Sequence, residues 1–252
     1  MKRIFKYATI VLSCYFVFVL ISFPAERAYE MAKGAMPKVV LYDVKGTLWS
    51  GQANAVVIDG KPLREFEWSV SPWRLFMGYL AADMKFDNNT TWANANVALS
   101  LGGNVVVSDL LGQLPGSELQ SILPKIPARL GGIFQMDLDE IVYSPEAKVL
   151  LEAEGRVDWQ SASISVMQEA KIGDFQLDLT TTDAGVNGVF TDVNEGPLMV
   201  EGNVILSPEK HYKLDAKLKV RDQNRQDLVQ SLRFIGQTDV QGLVAFNKEG
   251  AL

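Results

Sequence analysis

Strict alternation of apolar and polar residues is what most limits the folds open to this chain. Leu151, Ala153, Gly155, Val157 and Trp159 interleave with Glu152, Glu154, Arg156 and Asp158. The same pattern runs through Tyr212–Val220, Phe175–Leu179, Phe134–Leu138 and Phe66–Val70. Successive side chains on a strand point to opposite faces, so each stretch has one face to bury and one to wet. That is the mark of antiparallel sheet. Weaker strands are expected over 39–44, 53–58, 79–86, 97–101, 105–110, 186–193, 199–206 and 240–246. Turn signals separate them: Asp59-Gly60, Asp87-Asn88-Asn89, Gly102-Gly103, Asp183-Ala184-Gly185 and Asn194-Glu195-Gly196-Pro197. Strand plus turn recurs at about ten residues, which suits a sandwich, a barrel or a long curled sheet.

Ahead of these strands lies one apolar run, Tyr7 to Phe23, without a charge. A bilayer core of about 30 Å needs roughly 20 apolar residues, and about 17 suffice. A cleaved leader has a shorter apolar run and small residues at its end, where this chain has Phe23 and Pro24. Cys14, the single cysteine, lies within the run and so reads as lipid-facing, not as a lipidation site. Lys2, Arg3 and Lys6 orient the N-terminus to the cytoplasm. The expected fold class is therefore mainly β. A single N-terminal transmembrane helix precedes one curled antiparallel β-sheet, half-barrel or sandwich-like, with one or two short helices. The expected division is 1–23 as cytoplasmic tip and anchor, 24–38 as linker and 39–252 as a periplasmic β-rich domain. Helices are expected over Gly116–Leu123 and Asn224–Ile235, and Tyr29–Lys33 could prolong the anchor. The Pro- and Gly-rich segment 110–132 reads as a long connection inside one domain. A faint echo links Gly46–Ala53 with Gly155–Ala162.

Three of the 24 basic residues and none of the 30 acidic ones precede Pro24, so the remainder carries −9. That opposes nucleic acid or anionic surfaces as partners. The residues of catalysis are sparse. His211 is the single histidine and opens an alternating strand, as surface histidines do. With one His and one Cys, the usual zinc sets are absent. Asp137, Asp139 and Glu140 lack the glycine and distal glutamate of a calcium loop, and alternation turns Asp137 and Asp139 to solvent. Glu152 and Glu154 share a strand face with Arg156, which reads as a solvated surface. Neither a Gly-x-Ser-x-Gly elbow nor a Gly-x-x-x-x-Gly-Lys loop occurs. The chain reads as a non-enzymatic binding or structural part, with no catalytic or metal residues and no cofactor.

Two stretches carry a resemblance. Val44-Lys45-Gly46-Thr47-Leu48-Trp49-Ser50-Gly51-Gln52-Ala53 and the continuation Phe66–Leu80 resemble the type II secretion system protein N family (general secretion pathway protein N). Gly46, Trp49, Gly51 and Ala53 match its first pattern. Trp68, Pro72, Leu75 and Gly78 match its second, and Trp73 is an added aromatic. The resemblance implies an inner-membrane accessory for export of folded proteins across the outer membrane. Its partners would be other type II secretion proteins and the inner membrane, with the bulk of the chain periplasmic. The motif residues read as structural: glycines for tight turns, Pro72 to end a strand, and Trp49 and Trp68 buried to cap one end of the sheet. A second reading comes from the apolar sheet face itself. It could form a lipid-binding groove like that of AsmA- and TamB-type transfer proteins, although the large residues Phe66, Trp68, Phe134, Trp159, Phe175 and Tyr212 favour a partly filled interior.

Overall fold

The computed structural model describes every residue except 1, 35, 36, 38, 59, 60, 76, 77, 123–128, 166–168 and 252. The described chain forms two compact units, Met1–Asn89 and Thr90–Leu252.

The first unit opens with helix α1 (Lys2–Ile21) and, after a break at Pro24, helix α2 (Ala25–Ala32). Pro24 supplies no N–H, and its extended conformation (φ −63°, ψ 134°) makes it the N-cap of α2, so the second helix does not continue the first. Strands β1 (Val39–Gly46), β2 (Ser50–Ile58), β3 (Lys61–Val70) and β4 (Tyr79–Asn88) then pair antiparallel in sequence order. The short helix α3 (Pro72–Leu75) joins β3 to β4. Asp43 (φ 53°) on β1 and Glu65 (φ 50°) on β3 take left-handed backbone conformations, each opposite Asn54 of β2, with the register unchanged on either side.

The second unit is a nine-strand meander. It comprises β5 (Thr91–Ser100), β6 (Val105–Pro115), β7 (Arg129–Ser144), β8 (Val149–Ser165), β9 (Glu169–Thr182), β10 (Gly185–Asp192), β11 (Leu198–Leu206), β12 (His211–Val220) and β13 (Leu243–Ala251). Each strand pairs antiparallel with its sequence neighbours. Helix α4 (Gly116–Ile122) connects β6 to β7, and α5 (Gln226–Ile235) lies between β12 and β13. Of the segment 110–132, expected as one long connection, residues 110–115 belong to β6 and 129–132 to β7, so the connection is shorter and holds α4. Strands β7 and β8 run 16 and 17 residues, longer than the turn spacing suggests. Register shifts at Gly131/Ile133, Leu138/Glu140 and Trp159/Ala162 bend them while keeping the apolar residues on one face.

Cross-strand register explains the packing. Phe134 faces Trp159, which faces Phe175, so three rings from neighbouring strands stand on one face. Phe134 and Trp159 stack with centroids 4.9 Å apart, Trp159 and Phe175 lie 5.9 Å apart, and Phe190 stacks on Phe175 at 5.3 Å. The Trp159 indole donates to the Gly131 carbonyl at 2.8 Å, which satisfies its polar end. Leu228 and Leu232 of α5 cover this face and bury Phe175, Ile172, Val200, Val220 and Val244. An ion pair ties down the loop between β10 and β11. Arg221 donates to Asp192 Oδ2 at 2.6 Å and to the Gly196 carbonyl at 2.9 Å.

The β-rich, antiparallel expectation holds, and helices are few. There are four short ones among the described residues, not one or two, because α2 separates from α1 and Pro72 starts α3. Among the described residues no helix is long and apolar enough to cross a membrane. The Gly46/Gly155 echo has no structural counterpart. The first stretch is a hairpin and the second lies inside β8. The Asp59-Gly60 turn, Leu123, Pro124 and Pro127 lie outside the described residues.

Phe175, 1% exposed, is the centre of the ring ladder. Phe175→Ala should destabilise the protein by about 3–5 kcal/mol in chemical denaturation, the range for a well-packed buried Phe.

Candidate functional site

The motif residues converge at one end of the first unit. Gly46 and Gly51 face each other where β1 turns into β2. Gly46 has φ +92°, a left-handed conformation that disfavours side chains, and a Cβ there would lie 2.5 Å from the Ser50 carbonyl oxygen. Between them, the Thr47 N–H donates to the Ser50 carbonyl at 2.8 Å and the Ser50 N–H to Thr47 Oγ1 at 3.2 Å. The turn therefore projects Leu48 and Trp49 outward from the strands.

Those two residues reach back to the helix exit. The Trp49 indole N–H donates to the Leu20 carbonyl of α1 at 2.8 Å, and the Leu48 N–H donates to the Phe23 carbonyl at 2.9 Å. Pro24 forms a β-bridge with Thr47. A helix end leaves carbonyls without intrahelical partners, and Trp49 serves one of them. On the other side, the Val70 N–H donates to the Trp49 carbonyl at 2.6 Å, and the Trp68 indole to the Leu48 carbonyl at 3.2 Å. The Trp68 ring lies directly over the Cα of Gly51, where a Cβ would collide with it. Ala53, 1% exposed, sits opposite Phe66, whose ring is 5.9 Å from that of Trp68.

Both tryptophans are half-buried, not buried as expected, because each lies at the open end of the sheet. Pro72 opens α3, where its missing N–H costs nothing. Gly78, φ +83°, turns the chain into β4. The Leu75 side chain lies outside the described residues. Sequence reasoning missed the role of Trp49 as a clasp on α1, since nothing in the motif points to a residue 29 positions earlier.

Beside this clasp is an open hollow of about 530 Å³, lined by Lys45, Gln52, Glu67, Trp68, Asp83 and Lys85. Lys45, Gln52, Glu67 and Lys85 form one cross-strand row of mixed charge. Such a row suits polar contact with another surface.

The other sequence candidates stay apart. His211 is exposed at the head of β12, and Asp137 and Asp139 are exposed on β7. Glu152 and Glu154 are exposed on β8 with Arg156. Arg156 Nε donates to Asp178 Oδ1 at 2.9 Å, and Gln176 Nε2 to Asp178 Oδ2 at 2.7 Å. The Gln176 bond first, then the Arg156 bond, hold the Asp178 carboxyl below its ordinary range. Asp178 in turn, by its hydrogen bond and its charge, raises the guanidinium's pKa.

Two measurements follow. Trp49→Phe keeps a ring but deletes the donor to Leu20, and should cost about 1 kcal/mol in thermal or denaturant unfolding. Because the folded-state pKa of Asp178 is depressed, its stabilisation is complete above the ordinary value of 3.8 and disappears as pH falls through the lower folded value. The stability difference between wild type and Asp178→Asn should accordingly be flat near neutrality and shrink only below about pH 4.

The family described as type II secretion system (T2SS), protein N matches residues 37–247. A type II secretion system protein N of Vibrio cholerae serotype O1 is 26% identical over the full length of both chains. One from Aeromonas hydrophila is 24% identical, again over the full length of both. No solved structure matches. With the family pattern spanning residues 37–247, the chain belongs to the type II secretion system protein N family.

Proposed function

We propose that this protein is a non-catalytic inner-membrane scaffold of the type II secretion machinery. Membership of the protein N family over residues 37–247 carries the reading. In it, residues 1–23 are a cytoplasmic tip and membrane anchor, 24–38 a linker, and 39–252 a periplasmic β-rich domain. The anchor reading is supported by α1 itself. Within it Tyr7, Val11, Leu12, Tyr15, Phe16 and Phe18 all expose their side chains outward. Aromatic and aliphatic side chains so placed are suited to lipid. The scaffold reading is supported by the wet sheet faces, where Lys217 on β12 and the Lys45–Lys85 row offer polar contacts to partner proteins.

A second reading, a lipid-binding groove, is favoured by one observation. Of the large apolar-face residues named from sequence, only Phe175 is fully buried, whereas Phe66, Trp68, Phe134, Trp159 and Tyr212 are half-buried.

Deleting the gene should lower secretion of folded exoproteins without changing outer-membrane lipid composition. A photo-crosslinker at Lys217 should capture other type II secretion proteins. Crosslinkers at Leu177 and Leu214, on the apolar face, should capture little phospholipid. Unimpaired secretion together with about one co-purifying lipid per chain would replace the scaffold reading with the groove. The intact mass of the membrane form should retain the residues before Ala25, and a mature chain starting near Ala25 or Glu26 would remove the anchor.

A further inference from the structure

The surface of the first unit is unevenly apolar. Trp73 on α3 is 76% exposed, and Tyr79 and Leu80 at the start of β4 are 46% and 50% exposed. Tryptophan is among the more buried side chains on average, so this degree of exposure is unusual. The scaffold reading does not use these residues.

Their position is fixed by hydrogen bonds traced from the end of α1. The Leu20 carbonyl accepts from Trp49, and the Trp49 carbonyl accepts from the Val70 N–H. Trp73 follows Val70 by three residues, no more than about 11 Å of chain. The Ser71 N–H donates to the Ala81 carbonyl at 3.0 Å, which brings Leu80 and Tyr79 to the same end. Leu48, 39% exposed, completes the group at the tip of the β1–β2 turn. The exposed aromatics therefore lie at the end of the sheet to which α1 is clasped. Asp87, by contrast, lies eight residues along β4, about 26 Å away.

Tryptophan and tyrosine concentrate at membrane–water interfaces, where an apolar ring and a polar tip both find their medium. The headgroup layer is several ångströms deep on each side of the hydrocarbon core. We propose that this end of the first unit, led by Trp73 with Tyr79 and Leu80, rests in the headgroup layer of the bilayer that α1 enters. It is a second, interfacial membrane contact. The inference rests on the reading of α1 as an anchor. It goes further in making the first unit a membrane-surface element with a defined lower face.

The test uses the full chain with its one cysteine removed as Cys14→Ser. Single cysteines are placed by Phe16→Cys, Trp73→Cys, Leu80→Cys or Asp87→Cys and labelled with an environment-sensitive fluorophore. The protein is reconstituted in phosphatidylethanolamine–phosphatidylglycerol vesicles with a nitroxide lipid labelled near the headgroup. Labels at 73 and 80 should be quenched roughly threefold more than at 87, as interfacial side chains are. Adding Trp73→Glu should reduce quenching at position 80 by about twofold, since a carboxylate disfavours the interface. If 73 and 80 match 87 while 16 is quenched, the anchor stands and the interfacial contact is overturned. If 16 is also unquenched, the anchor reading fails and the contact fails with it.

Discussion

The end of α1 fixes the rest of the first unit. A helix terminus leaves carbonyls that need partners, and here the turn between β1 and β2 supplies one from the Trp49 indole. The next bonds follow from that contact. Leu48 and Trp49 are held outward by the Thr47–Ser50 turn, and the backbone carbonyls they present accept from Trp68 and Val70 of β3. Gly51 has no side chain because the Trp68 ring occupies the space where one would go. The spacing of glycines and tryptophans in the motif is therefore a record of hydrogen bonds and close approach.

A second constraint governs the other unit. One layer of sheet can bury a face only if something lies upon it. Helix α5 does so with Leu228 and Leu232, which lie over Ile172, Phe175, Val200, Val220 and Val244. Away from α5 the apolar side chains shield one another in cross-strand rows; Leu138 and Val186 are buried there, while Leu177 and Leu214 stay half-exposed. The free edges are protected by local devices. On β13, Lys248 is registered opposite Leu214 and places a charge on the apolar side. On β1, the left-handed backbone at Asp43 interrupts the ladder, and the Tyr29 hydroxyl of α2 donates to the Val39 carbonyl at 3.2 Å.

Much of this was legible in the sequence, for a physical reason. Period-two alternation is imposed by the pleat, so the faces of β7, β8, β9 and β12 could be read directly from Phe134, Leu151, Phe175 and Tyr212. The helix α5 was legible through Leu228, Leu232 and the following Gly236. What could not be read were features that depend on distant partners. The Trp49–Leu20 bond spans 29 residues. The bulges at Ser161 and Gly132 depend on the strand alongside, and so does the length of β8, which hid the fact that the Gly155–Ala162 stretch is no hairpin. The half-burial of Trp49 and Trp68 likewise follows from where the sheet ends, which motif spacing does not encode.

The meander has a consequence for how the chain acquires its fold. Within each unit a strand's partners are the strands just before and just after it. Closing a short hairpin costs little chain entropy, and low contact order speeds folding. Sheet can therefore be added one hairpin at a time, each new strand laid on an edge already in place. A polypeptide synthesised N-terminus first has its template waiting at every step. The last strand to arrive, β13, brings the charged edge that stops further growth.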